Sequence, residues 1–156
     1  YGIEFEPGYS DAKKSLIHSL NFMKYSHKLK KVLGIKRSLK IAQKEVEVCD
    51  YDKTWDKILS KKPSSKKAIP SAFVDWDNTP RKKEAGKVYN GANPEKFKKY
   101  FKLLVEKTKL EYKTDKIFIF AWNEWAEGGY LEPDNKYECG YLEALYEALK
   151  ETDELI

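Results

Sequence analysis

The sequence predicts an α/β fold, the C-terminal portion of a (β/α)8 TIM-like barrel, and three observations predict it. Apolar strand-length runs alternate with amphipathic helical stripes, which argues for parallel strands with covering helices. Long polar loops follow the strands, whereas the returns from helix to strand are short. Acidic and aromatic residues crowd those strand-to-helix loops, the face on which βα-barrels build their sites. A closed barrel takes eight strands and ~250 residues, and 156 residues provide only part of one.

The elements follow in order. Residues 1–49 are read as a partial strand, Ile3–Phe5, followed by a basic and helical segment. Residues 50–156 are read as the C-terminal βα units that carry the active-site loops. The half-strand before Pro7-Gly8 suggests that a portion precedes Tyr1, so the absence of a signal peptide carries no information. Between Ala12 and Lys44 stand ten Lys or Arg and no acid. With Leu16, Ile17, Leu20, Met23, Leu29, Val32 and Leu33, that stretch suits basic amphipathic helices. They would give peripheral contact with an anionic surface, or simply a solvated face. Nucleic acid has no recognisable binding motif to support it. No run approaches the ~18 apolar residues of a membrane span.

Asp50–Lys61 carries Tyr51, Trp55, Ile58 and Leu59 at helical spacing, with Pro63 beyond its end. Ala68–Val74 reads as a short buried strand, and Asp75–Asn93 as a long polar loop. Asn93-Pro94 combines a capping side chain with a ring whose φ is preset for the first helical position. Phe97, Tyr100, Phe101, Leu104, Val105 and Thr108 then form one apolar stripe. Ile117–Trp122 has the length and the β-branched and aromatic content of a fully buried strand. Tyr141, Leu142, Leu145, Ala148 and Leu149 mark a last amphipathic helix.

The chemistry concentrates after the strand at Ile117. Trp122, Asn123, Glu124, Trp125, Glu127, Tyr130 and Glu132 interleave carboxylates with aromatic rings, which is what sugar chemistry needs: an acid/base pair and flat faces for pyranose rings. Glu124 and Glu127 are three residues apart, a spacing that places both on one side of a tight turn. They are the candidate catalytic pair, one protonating or deprotonating the bridging oxygen, the other serving as nucleophile or base. The plainer reading makes one a helix cap or a lysine partner. Asp75-Trp76-Asp77-Asn78, with Arg81, is read as a substrate-facing loop. Its D-x-D would alternatively clamp a divalent ion against a nucleotide-sugar diphosphate. The same run has the look of a phosphatase nucleophile loop, but no adjacent acid pair follows the later strand, which discounts that reading. Cys49 and Cys139 lack metal-ligand spacing and read as free thiols of a reducing, cytoplasmic compartment. His18 and His27 read as surface residues. No cofactor is implied.

Phe-Val-Asp-Trp-Asp-Asn-Thr-Pro-Arg at 73–81, Ala-Trp-Asn-Glu-Trp-Ala-Glu-Gly-Gly-Tyr-Leu-Glu-Pro-Asp at 121–134 and Gly-Tyr-Leu-Glu-Ala at 140–144 resemble the WbsX-type, glycosyltransferase-like family. That family groups with the glycoside hydrolase family 99-like barrels. The resemblance covers about residues 50–150. It implies a (β/α)8 barrel whose final strands are Ala68–Val74 and Ile117–Trp122. It also implies an oligosaccharide or polysaccharide substrate and a place in bacterial surface-polysaccharide or lipopolysaccharide metabolism. In family 99 the matching block reads Glu-Trp-His-Glu-Gly. By that likeness Glu127 would be the general acid/base, and Glu124 would assist attack by the sugar's own 2-hydroxyl. Ala126 stands where the family has His, which puts the sugar specificity in question more than the carboxylate chemistry. The resemblance implies no bound metal. Two other classes stay open beside it: the metal-dependent transferase through Asp75 and Asp77, and a non-catalytic glycan-binding or scaffold protein.

Overall fold

The computed structural model describes residues 2–4 and 45–155. The basic Ala12–Lys44 segment, with its expected helices, surface contact and histidines, lies outside the described residues. Three short parallel strands form one sheet in the order β1 (Gly2–Glu4), β3 (Ala68–Phe73), β5 (Phe118–Phe120). Registers Ile3↔Ile69 and Ala72↔Ile119 set them side by side. A second parallel pair joins β2 (Glu47–Asp50) to β4 (Lys87–Asn90), with Cys49 opposite Tyr89. The described chain is therefore mixed α/β with parallel strand pairs and covering helices. Among the described residues no helix is long and apolar enough to cross a membrane.

Local sequence explains each helix. The first, α1 (Tyr51–Ser60), starts where the Asp50 carboxylate accepts the Lys53 amide at 2.8 Å, satisfying one of the orphan donors of a helix start. A single turn, α2 (Thr79–Lys82), opens with Pro80 inside it. The longest, α3 (Pro94–Lys107), is capped by Asn93, whose side chain accepts the Lys96 amide at 2.9 Å. It runs into a π-turn at Thr108–Tyr112 and stops at Lys113, which adopts a left-handed conformation with φ 55°. The last, α4 (Gly140–Glu151), packs along α3.

An aromatic stack forms the core. Trp55, fully buried, lies between Phe73 and Tyr100, with ring centroids 5.6 Å away on each side and interplanar angles of 19° and 8°. Tyr51 donates its hydroxyl to the Val74 carbonyl at 2.8 Å, tying α1 to the end of β3. Phe97, Phe101, Leu104 and Val105 complete the stripe of α3 against this stack.

Two expectations need correction. Asp75–Asn93 is not one long loop: it holds α2, a 3-10 turn at Lys83–Ala85 and strand β4. Pairing with β2, forty positions away, supplies ladder partners that local sequence does not show. Nor is Ile117–Trp122 a fully buried strand. Only Phe118–Phe120 are extended in the sheet, Phe118 is 46% exposed and Trp122 is 55% exposed. The reason is position: β5 is an edge of the described sheet, paired on one side only.

Candidate functional site

Strands β3 and β5 run parallel with Phe73 opposite Phe120, so the segments that follow them leave the sheet at the same end. The segment after β5 folds back as a two-stranded hairpin, β6 (Asn123–Glu124) against β7 (Gly129–Tyr130), closed by a 3-10 turn at Trp125–Glu127. Gly128 completes that turn with φ 65°, a left-handed conformation that glycine adopts without a Cβ clash. Gly129 is needed for a different reason. A Cβ there would stand 2.8 Å from the Phe120 ring and 3.1 Å from the Asp75 carbonyl. The hairpin therefore lies directly on the Asp75 loop, and the Asp77 amide donates to the Glu127 carbonyl at 2.8 Å. Residues fifty positions apart meet in one place.

The contact encloses a cleft of ≈ 290 Å³. Asp75, Asp77, Trp125, Tyr130 and Gly128 line it from the two loops. Asp134, Lys136, Tyr137 and Tyr141 close it from the chain entering α4. Its aromatic wall is a stacked pair, the Trp125 and Tyr130 rings 3.8 Å apart at 16°. The Trp125 indole N–H donates to Glu132 at 2.6 Å, and the Tyr130 hydroxyl donates to Asp134 Oδ2 at 3.0 Å. Trp125 is nonetheless 50% exposed, so part of its surface stays available. A second cleft of ≈ 390 Å³ shares Trp125 and Asp134 with the first.

The acids of the cleft differ in environment. Burial pushes Asp75 up to about 6, opposed by the Trp76 amide it accepts at 2.7 Å and by the Lys136 charge, and assisted by Asp77. Removing a carboxylate from water disfavours its charged form. For Asp134 burial acts in the same direction but is outweighed. The Tyr137 amide, the Tyr130 hydroxyl and the Lys136 amide all donate to it, and its pKa is lowered. Burial, then the bond to Asp134, raises the Tyr130 phenol to about 12. Asp77 is committed locally, one oxygen accepting both the amide (2.9 Å) and the hydroxyl (2.6 Å) of Thr79.

The sequence-selected residues divide into groups. Asp75, Asp77, Trp125 and Tyr130 line the cleft, and Glu132 fixes the Trp125 ring. Arg81 ion-pairs with Glu127, whose side chain is 16% exposed. Glu124 is half-buried on β6, beside Gly129. Asn123 and Trp122 are exposed, and the Trp122 carbonyl accepts the amides of Leu131 and Glu132. Trp76 turns toward the fold interior against Phe120, ring centroids 5.3 Å apart. The Asn78 side chain accepts the Lys87 amide at 2.7 Å and so holds β4. Among the described residues no three His, Cys, Asp or Glu side chains are placed to hold a metal ion.

Sequence reasoning missed Asp134, Lys136, Tyr137 and Tyr141. Asp134 closes the quoted motif but was assigned no role. Tyr141 sits in the apolar stripe of α4, and nothing local separates a ring that merely packs from one that also lines a cleft.

The profile of the family described as Glycosyltransferase WbsX matches residues 3–145. Two curated proteins, both "Uncharacterized protein WxcX" from strains of Xanthomonas campestris pv. campestris, are 35% identical over 82 residues. The match covers 51% of this chain and 12% of each relative's length. No solved structure matches.

Proposed function

Since the chain belongs to the WbsX glycosyltransferase family, whose business is carbohydrate, we propose that it forms part of an enzyme acting on glycosidic bonds in bacterial surface-polysaccharide or lipopolysaccharide metabolism. On this reading the sheet is the C-terminal portion of a (β/α)8-type barrel, with β3 and β5 as its last strands. Glu124 and Glu127 are the acid/base pair, and water or a second sugar accepts the glycosyl group. One observation carries the reading. The loops leaving β3 and β5 close on a single cleft that joins the carboxylates of Asp75, Asp77 and Asp134 to a stacked Trp125–Tyr130 wall. The turn carrying Glu127 is bonded to its rim through the Asp77 amide, with neither Glu124 nor Glu127 among the lining residues. Carboxylates flanking a glycosidic bond supply proton transfer and nucleophilic attack, and aromatic faces hold the ring.

Arg81 has a definite part in this scheme. It holds one oxygen of Glu127 in the free chain, and a sugar hydroxyl donating to that carboxylate would compete with the guanidinium. The test is turnover of oligosaccharide by the full chain with Glu124→Gln and Glu127→Gln. Each should lower turnover about 10²–10⁴-fold, the usual contribution of positioned acid/base groups, with thermal stability unchanged. Full activity in Glu127→Gln would sink the assignment.

A second reading keeps some support because Asp75 and Asp77 share the cleft. They would hold a divalent ion against a nucleotide-sugar diphosphate. The Thr79 bonds on Asp77 count against it. Turnover that requires a divalent ion and disappears in Asp77→Asn, with Glu127→Gln tolerated, would select it. Glycan binding without turnover, unaffected by Glu127→Gln, would instead select a binding or scaffold role.

A further inference from the structure

Three buried side-chain polar atoms lack a hydrogen-bond partner among the described residues: Trp55 Nε1, Trp76 Nε1 and the Tyr141 hydroxyl. Of these three residues, Tyr141 is the one that lines the cleft. Its ring is core, since the residue is only 6% exposed and packs edge-on against Phe97 and Tyr137. A buried hydroxyl whose bond is unmade is costly, and native folds leave few such groups without a purpose.

A second group in the same cleft is in a comparable state. Asp75 spends one oxygen on its neighbour's amide, and its carboxyl is largely withdrawn from water, as its raised pKa reflects. By contrast Asp134 is fully engaged, with both oxygens accepting bonds. The charged residues lining the cleft are three aspartates, Asp75, Asp77 and Asp134, and one lysine, Lys136. The volume, ≈ 290 Å³, lies at the lower end of ligand sites, which run ~300–1,000 Å³. One ring fits such a space better than a chain of them.

Resting on the reading of this cleft as a sugar site, we propose that the Tyr141 hydroxyl and the second oxygen of Asp75 are the recognition groups of a subsite for one uncharged pyranose stacked on Trp125, from which anionic sugars are excluded. A neutral ring brings matched groups: a sugar O–H donates to Asp75, and a sugar oxygen accepts from Tyr141. A ring carboxylate or phosphate would face three aspartates at close quarters, and like-charge juxtaposition in a partly dry site is costly. Tyr141 acts on binding alone, since nothing places it at a reacting bond.

The experiment is a titration of the full chain, followed by NMR, with methyl α-glucopyranoside, methyl α-mannopyranoside, methyl α-galactopyranoside and methyl α-glucuronoside. At least one neutral glycoside should bind and shift the Trp125 indole resonance. Tyr141→Phe should weaken it roughly five- to tenfold, the loss of one hydrogen bond, while the melting temperature holds or rises because an unsatisfied hydroxyl is gone. The glucuronoside should bind about tenfold or more weakly than the glucoside. Equal binding by Tyr141→Phe, a glucuronoside that binds as well as its neutral parent, or no response to any neutral glycoside would each overturn the proposal. A drop in melting temperature with unchanged affinity would show a merely structural tyrosine. The two readings fail separately. Loss of binding in Tyr141→Phe with full turnover in Glu127→Gln keeps the subsite and removes the catalytic pair. The reverse result keeps the pair and removes the subsite.

Discussion

The seam between α3 and α4 and the cleft beside β3 both gather acids and amines, and they treat them in opposite ways. Along the seam, Lys98 bonds Glu147 at 2.6 Å and Glu151 at 2.8 Å, and Lys102 bonds Glu151 at 2.9 Å. These groups are in water, and the lysines hold the Glu151 carboxyl down at about 2. In the cleft Asp75 is withdrawn from water, and burial outweighs Lys136 to lift it to about 6. Counting charges would rank the seam as the more interesting region. Desolvation reverses that ranking, because carboxylates shifted by burial cluster at functional sites, whereas solvated ion pairs are commonplace on surfaces.

Both regions depend on one scaffold, which yields the largest expected effect. Trp55 stacks on Phe73, at the root of the Asp75 loop, and on Tyr100 of α3. Trp55→Ala should cost about 3–5 kcal/mol, as for other large aromatic deletions in cores. Denaturant unfolding followed at the seam and at the Trp125 indole should show both regions melting together. Separate transitions would mean that the two regions do not share a core.

Next comes Asp75→Asn, which touches the cleft alone. Its folded pKa of about 6 stands above the ordinary 3.8, so the folded chain keeps a proton that the unfolded chain releases. That contribution to stability is fully present below about pH 4 and is lost as pH rises through about 6. Asparagine still accepts the Trp76 amide and never ionises. The variant should match the parent near pH 3.5 and exceed it above pH 7 by roughly 2–3 kcal/mol at most. Stability gained together with weaker glycoside binding would mark Asp75 as a residue held for function at the expense of the fold. A variant less stable than the parent at pH 7.5 would show that the charge is paired, not stranded.

What was legible in the sequence follows the same division. The helices α1, α3 and α4 were readable because their causes are local: Asn93-Pro94 at a start, Tyr51 and Trp55 one turn apart, an unbroken apolar stripe. Asn93→Ala removes one such local cause and should cost about 1 kcal/mol, visible as a small drop in melting temperature without effect on the cleft. Strands β2, β4, β6 and β7 were not readable. They are two to four residues long and owe their conformation to partners distant in sequence or to a hairpin turn. The cleft was half readable. Asp75, Asp77, Trp125 and Tyr130 stood out by type and position after a strand. Tyr141 did not, because its ring satisfies the helix pattern and only the fold shows that the residue also lines the cleft. Arg81 and Glu127 were each selected from the sequence, but their pairing is a property of the hairpin lying on the loop.

The smallest effect belongs to the seam. Glu151 is depressed to about 2 from an ordinary 4.5, so its contribution is present above about pH 4.5 and is lost as pH falls through 2. The sign is the reverse of Asp75, and the window lies on the acid side. Size should differ as well. With 43% of its side chain exposed, Glu151 has its ion pairs screened by salt and offset by the entropy of ordering long side chains. Glu151→Gln should therefore leave the melting temperature at neutral pH almost unchanged at physiological ionic strength, and slightly lowered in dilute buffer. A loss as large as the gain expected for Asp75→Asn would mean that the seam, too, works as a dry electrostatic site. The distinction drawn from burial would then fail at the point where it is easiest to measure.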